Sequence, residues 1–213
     1  MPCFPLYPAV LKRPCDIVAA TTLLLLLLPL LVASALAVRL ALGSPVLYYA
    51  RRAGKDGRPI RLAKFRSMSE ARGPDGNLLP DAERLGAFGT FLRRTSLDEL
   101  PQLVSVLAGD MSMIGPRPLP LDYVPRYSPR QALRLCIRPG LTGWAQIHGR
   151  NAVDWPQRLE LDARYVEMMG CWYAPFVDMY IVVCTICQIG WQTLTGRGIA
   201  APGSATMQEF FGN

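Results

Sequence analysis

Histidine is almost absent from this chain of 213 residues; the only one is His148. The six cysteines (Cys3, Cys15, Cys136, Cys171, Cys184 and Cys187) have spacings that form no metal framework, so a structural zinc site of the usual patterns is excluded. The one pair at C-x-x-C distance, Cys184 and Cys187, lies in an apolar stretch far from His148. The thiols are expected to be reduced and packed as small hydrophobes, as in a cytosolic protein. Acids are also scarce: 16 against 23 lysines and arginines, a formal net charge of +7. That balance favours anionic partners such as phosphate groups, acidic lipids or nucleic acid, the plain alternative being a basic face with no specific partner. Internal repeats and low-complexity segments are missing apart from a run of leucines.

Apolar residues, by contrast, make up 51% of the chain. The length fits one domain with some residues left for a membrane anchor. Ile17 to Val38 carries no charge over 22 residues, roughly 33 Å as a helix, enough to span a bilayer core. Three readings compete. Lys12, Arg13 and Ala35-Leu36-Ala37 resemble parts of a signal peptide, although the apolar run is long for one. A plain spanning helix is the second. The third is a re-entrant hairpin that enters and leaves on one side. Pro29, near the middle, lacks an amide hydrogen and crowds the carbonyl of Leu25, which favours a break there. Positive charge flanks both ends (Lys12 and Arg13; then Arg39, Arg51 and Arg52), so the positive-inside rule puts neither end outside.

A second apolar stretch, Trp172 to Leu194, is amphipathic. Asp178, Thr185, Gln188 and Gln192 fall on one helical face; Phe176, Tyr180, Val183, Cys184, Cys187 and Trp191 fall on another. The pattern suits an interfacial helix and equally a helix docked on the domain's own core. Between these stretches, Val46 to Arg52 and Ile60 to Phe65 read as strands around a turn at Lys55-Asp56-Gly57. Arg72 to Pro80 reads as a loop, and helices are expected over Ala82 to Arg93, from Ser96 to about Leu107, and from Asp154 towards Met168. Gly109 to Pro120 and Arg138 to Gly143 are too rich in Gly and Pro for continuous helix or strand.

Asp98 and Glu99 are adjacent acids with two readings. Ser96-x-x-Glu99 fits a capping box, with acids suiting a first helical turn. A carboxylate kept ionised by the helix dipole could also act as nucleophile or magnesium ligand. Gly115-Pro116-Arg117-Pro118 fixes an arginine between prolines, where it could fork onto a phosphate or simply face solvent in a turn. Lys64, Arg66, Arg93, Arg94 and Arg150 are further cation candidates. Arg138 to Trp144 is a glycine-punctuated loop that could wrap a substrate with backbone amides or close a structural turn.

Six segments in order resemble the bacterial sugar transferase family, the monotopic phosphoglycosyl transferases. They are Lys64 to Met68, Ser96 to Gln102, Gly109 to Ser112, Gly115 to Pro118, Arg138 to Gln146 and Gly149 to Asn151. The resemblance runs from about Lys12 to about Leu194 and to the small, minimal form of the family. It implies an α+β, mostly helical fold. Residues 1–42 would hold a re-entrant membrane helix broken at Pro29, residues 43–195 a cytosolic catalytic domain with interfacial helices, and residues 196–213 a tail without a readable motif. It implies transfer of a sugar 1-phosphate from a UDP-sugar to polyprenyl (undecaprenyl) phosphate at the cytosolic face of a bacterial inner membrane. UMP would leave through an aspartyl-phosphosugar intermediate, in a first membrane step of glycoconjugate synthesis. Asp98 would be the nucleophile, Glu99 its partner for metal or proton handling, and both would lie at Mg²⁺. Lys64, Arg93, Arg117 and Arg150 would bind phosphates. Anionic lipids are expected partners and nucleic acid is not; a homo-oligomer is left open. Two positions depart from the family pattern: Leu28 precedes Pro29 where Ser is usual, and His148 stands where Asn is common. A membrane-tethered nucleic-acid module would explain the charge but neither the acid pair nor the apolar segments.

Overall fold

The computed structural model describes residues 7–149, 153–195 and 210–212. The described residues begin with a π-helical turn, Tyr7–Leu11, and run into α1 (Lys12–Leu26) and α2 (Leu28–Leu42), which meet at 63°. The break falls at Leu27, not at Pro29. Pro29 would clash with the carbonyl of Leu25 in a continuous helix. Breaking two residues earlier puts it in the first turn of α2, where no partner for its nitrogen is needed.

An antiparallel hairpin follows, β1 (Leu47–Ala53) with β2 (Pro59–Phe65), in register from Leu47 opposite Phe65 to Ala53 opposite Pro59. Asp56 takes a left-handed conformation in the turn. The expected helix over 82–93 is two, α3 (Asp81–Arg84) and α4 (Ala87–Arg94), because the chain turns extended at Gly86. The helix expected from Ser96 is also two pieces: a 3₁₀ turn, Leu97–Gln102, then α5 (Leu103–Ala108). Pro101 has no N–H with which to close an α-helical turn onto Leu97.

The Gly- and Pro-rich loops contain two short parallel strands, β3 (Ser112–Ile114) and β4 (Gly140–Thr142). Between them lie a 3₁₀ turn (Leu121–Arg126), α6 (Pro129–Ala132) and a second 3₁₀ turn (Leu133–Cys136). Then come α7 (Trp144–Ile147), α8 (Trp155–Met169) and α9 (Ala174–Thr195). Asp154 accepts the amide of Gln157 and caps α8 as expected. The fold is mostly helical with two small sheets.

Both ends of the bent helix pair dock on this body. Asp16 accepts the amide of Met113 (3.0 Å), and Arg13 donates to the carbonyls of Val106 and Leu107. Ala20 is buried with Ile60, Leu62, Leu103 and Met111. At the other end Val38 packs with Phe65 and Leu92, and Arg66 donates to the carbonyls of Leu42 and Ser44. Arg66, a cation candidate in the sequence, is therefore buried and spent on the end of α2. At the bend Leu25, Leu26 and Leu28 are exposed.

Helix α9 docks by its polar face. Asp178 is buried and accepts from Tyr7 (2.6 Å), Tyr165 (2.7 Å) and Lys12. Thr185 bonds Thr142 (2.7 Å), and Gln188 donates to the carbonyl of Ile147 (2.6 Å). Phe176, Met179, Tyr180, Val183, Ile186 and Trp191 face outward. The docked face also carries Ala174, Val177 and Ile181, so both faces are apolar, unlike the one-sided pattern of a helix on a soluble domain. Among the described residues α9 is the one continuous helix long and apolar enough to cross a membrane. The cysteines differ from expectation: those described are free thiols, but Cys15, Cys136 and Cys187 are exposed, because they stand on outward faces rather than in the core.

Candidate active site

The 3₁₀ turn bearing Asp98 and Glu99 packs against β2 and the end of α4. The capping box is not formed. Ser96 is left-handed (φ 58°) and its side chain caps nothing, while Glu99 points to two cations. Lys64, from β2, donates Nζ to Oε1 at 2.6 Å. Arg117 forks onto the same carboxylate, Nη2 to Oε1 at 2.5 Å and Nη1 to Oε2 at 3.2 Å. Burial pushes the Glu99 carboxyl up, but Arg117 and Lys64 outweigh it and hold it well below the usual carboxylate range.

Asp98 is treated differently. It is 8% exposed and accepts no hydrogen bond among the described residues. Burial first, and the charge of Glu99 second, push its carboxyl up to about 6, while Lys64, Arg117 and Arg93 pull the other way. Burial thus overrides the dipole that was expected to keep Asp98 ionised. With its carboxyl at about 6, the group is mainly ionised at and above neutral pH. Two adjacent acids are driven in opposite directions, Asp98 up and Glu99 down.

The Arg117 loop is held by close backbone packing. A Cβ on Gly140 would stand 2.0 Å from the nitrogen of Gly115, and one on Gly143 would stand 2.1 Å from the Gly115 carbonyl. Only glycine lets the segments after β3 and around β4 approach this far. Gly115 then donates to Thr142 and Gly140 donates to Pro116, both at 2.9 Å. Behind the loop, Arg134 donates to the carbonyl of Arg117 (2.6 Å) and pairs with buried Asp162.

Of the expected phosphate ligands, Lys64 and Arg117 meet at Glu99. Arg93, at the end of α4, bonds Ser67 (3.0 Å) and lies near enough to lower Asp98. Arg150 lies outside the described residues. His148 is apart from this group, exposed and packed at a tilt against Trp144, with ring centroids 4.3 Å apart. Two cations escaped the sequence reading. Burial lowers both Arg52 and Arg158, and the charge of Arg117 lowers both further. Strand alternation carried a signal for Arg52, which shares a face with Tyr48, the cross-strand partner of Lys64. Arg158 lies beside Leu159 on the buried face of α8, where an arginine demands a partner.

The donors suit the expected Mg²⁺ only in part. Asp98 has oxygens free of competing donors among the described residues, whereas both Glu99 oxygens are engaged by cations. No cluster of three His, Cys, Asp or Glu is present among the described residues. That is compatible with an ion that binds through one or two carboxylates together with substrate phosphates and water.

The sequence pattern of the family described as bacterial sugar transferase matches residues 7–192. An uncharacterized sugar transferase of Bacillus subtilis, EpsL, is 43% identical over 204 residues, covering 96% of this chain and 97% of that one. The UDP-glucose:undecaprenyl-phosphate glucose-1-phosphate transferase of Escherichia coli is 40% identical over 205 residues, 87% of this chain and 43% of its own length. A UDP-N-acetylgalactosamine-undecaprenyl-phosphate N-acetylgalactosaminephosphotransferase of Aeromonas hydrophila is 38% identical, over 91% of this chain and 46% of its own length. The chain thus spans nearly all of the first relative and less than half of the other two.

Proposed function

The chain belongs to the bacterial sugar transferase family, and on that footing we propose that it transfers a sugar 1-phosphate from a UDP-sugar to undecaprenyl phosphate or a similar polyprenyl phosphate. Asp98 is the nucleophile of this reading. A carboxylate oxygen bonds to the β-phosphorus, the bond to the bridging oxygen breaks, and UMP leaves with that oxygen and its electron pair. A phosphate oxygen of the lipid then attacks the same phosphorus. The Asp98 carboxylate departs with its electron pair, and the product is a polyprenyl diphosphate sugar. Splitting one transfer into two in this way avoids bringing both substrates together at once.

The observation that carries the reading is the contrast between the two acids. Glu99 is tied down by Lys64 and Arg117, whereas Asp98 is buried, free of donors among the described residues and ionised near neutral pH. Phosphoryl transfer asks mainly for positioning and neutralisation of charge, which Lys64, Arg93 and Arg117 are near enough to supply. Mg²⁺ is the proposed cofactor, held through Asp98 beside Glu99; when bound, it offsets charge on the diphosphate.

A lipid acceptor requires a site at a membrane surface. We read α1 and α2 as a re-entrant hairpin in the inner membrane, with the catalytic part on the cytosolic face. Each arm has 15 residues, about 22 Å, too short to cross a bilayer core of about 30 Å. The two ends dock on one body, which a straight span would not permit without crossing back. The outward apolar face of α9, with Tyr180 and Trp191, suits the lipid boundary, and the net positive charge suits anionic lipids.

The test is to incubate the purified protein with Mg²⁺, undecaprenyl phosphate and a panel of UDP-sugars and to measure UMP. Asp98→Asn is expected to lower UMP release by at least about a thousandfold while membrane association survives. A sugar-phosphate adduct on Asp98 of the wild type should be seen by mass spectrometry. Undiminished turnover, or an adduct on another residue, refutes the assignment.

A further inference from the structure

Phe210 lies beyond the stretch matched by the family pattern, yet it is among the most buried side chains, 2% exposed. It fills a box made by Tyr123, Tyr127 and Trp155, with ring centroids at 5.5, 6.0 and 5.6 Å. Leu119 and Leu159 complete the cluster. The backbone is held too: the amide of Phe210 donates to the Tyr123 hydroxyl (3.1 Å), and Arg126 donates to its carbonyl.

The box leads to the acid pair in four short links. Phe210 packs on the Tyr127 ring, and the Tyr127 hydroxyl accepts from Arg134 Nη1 (2.8 Å). Arg134 Nη2 donates to the carbonyl of Arg117 (2.6 Å), and the Arg117 guanidinium forks onto Glu99 beside Asp98. A second route is shorter: Leu119, in the Phe210 cluster, is two residues past Arg117, and its carbonyl accepts the amide of Ala53 (2.9 Å). Glycine packing holds this loop on its β4 side, while the aromatic box supports the opposite flank.

We propose that Phe210 is a positioning residue: its docking in the aromatic box sets the loop that aims Arg117, and so tunes the grip on the nucleotide-sugar diphosphate. The inference rests on the role given to Arg117 above. It is tested with two variants. Phe210→Ala empties the box; Tyr127→Phe keeps the ring and removes only the hydroxyl that reaches Arg134. Both should raise KM for the UDP-sugar on the order of tenfold, since small misplacements of a substrate clamp carry losses of that size or more. KM for undecaprenyl phosphate should stay unchanged, and Phe210→Leu should restore most of the loss. A purely structural role would lower kcat through the active fraction and leave both KM values alone. Hydrogen exchange reads the same link without turnover: Phe210→Ala should speed exchange from Ile114 to Tyr123 and leave β1 and β2 as they were. Unchanged exchange in that segment, equal rises in both KM values, or no rise in either overturns the proposal. A wild type that releases no UMP from any UDP-sugar counts instead against the reaction, and the exchange result still decides the positioning role.

Discussion

Replacing Asp98 by Asn should make the protein more stable and nearly inactive, and the stability gain should depend on pH. The Asp98 carboxyl is displaced from its ordinary 3.8 to about 6, chiefly by burial and then by Glu99. A carboxyl raised on folding favours the folded state fully below its unfolded value, and that advantage is lost as pH rises through the folded value. The ionised group therefore weighs against folding by about 3 kcal/mol at about pH 7.5, and by about 1 kcal/mol at about pH 4.5, taking about 1.4 kcal/mol per pH unit. Asn has nearly the same shape and never ionises, so it removes most of this cost. Thermal unfolding of both proteins in detergent at the two pH values measures the difference. The variant is expected to melt about 6 to 10 °C higher near pH 7.5 and to lose most of that margin near pH 4.5. A variant that melts lower near pH 7.5, or whose margin is the same at both pH values, refutes the claim that burial sets the charge cost of Asp98.

Two further outcomes concern the membrane-facing parts. Asp178→Ala leaves Lys12 without its acid and Tyr7 without its acceptor, and leaves the Tyr165 hydroxyl only the longer bond to the Ile114 carbonyl. The loss should be about 3 to 5 kcal/mol in unfolding experiments, as for a buried pair deprived of one partner; a change below about 1 kcal/mol would show that α9 docks without this cluster. With Cys3 kept as the only cysteine, a membrane-impermeant maleimide should label it in inside-out vesicles and not from the outside of intact cells. Labelling from outside would establish a spanning helix and overturn the hairpin.

Much of the fold was legible because local chemistry decided it. Alternation and the turn at Lys55-Asp56-Gly57 marked β1 and β2 to within a residue or two, and Asp154 marked the start of α8. Legibility failed where a second restraint acted through space. The helix expected from Ser96 became a 3₁₀ turn once Pro101 and the pull of Lys64 and Arg117 on Glu99 are counted. Arg52, which reads as a flanking charge, and Arg158 join the site only through the fold, because a cation in a strand or helix reads as surface charge until its burial is known. Gly196 to Asn213 held no motif, and Phe210 gained its meaning only from the rings around it.

By itself the sequence determined the composition-level and local facts. There are two apolar segments, a proline that favours a break in one of them, an acid pair among cations, and glycine-punctuated loops. These depend on backbone sterics and on neighbours in the chain. The tertiary structure alone decided which acid is free and which is paired, because Lys64 and Arg117 reach Glu99 from positions 35 and 18 residues away. It also decided that the polar residues of α9 turn inward, since Asp178, Thr185 and Gln188 find partners on other elements. Burial and long-range charge are properties of the assembled chain, and the difference between Asp98 and Glu99 follows from them.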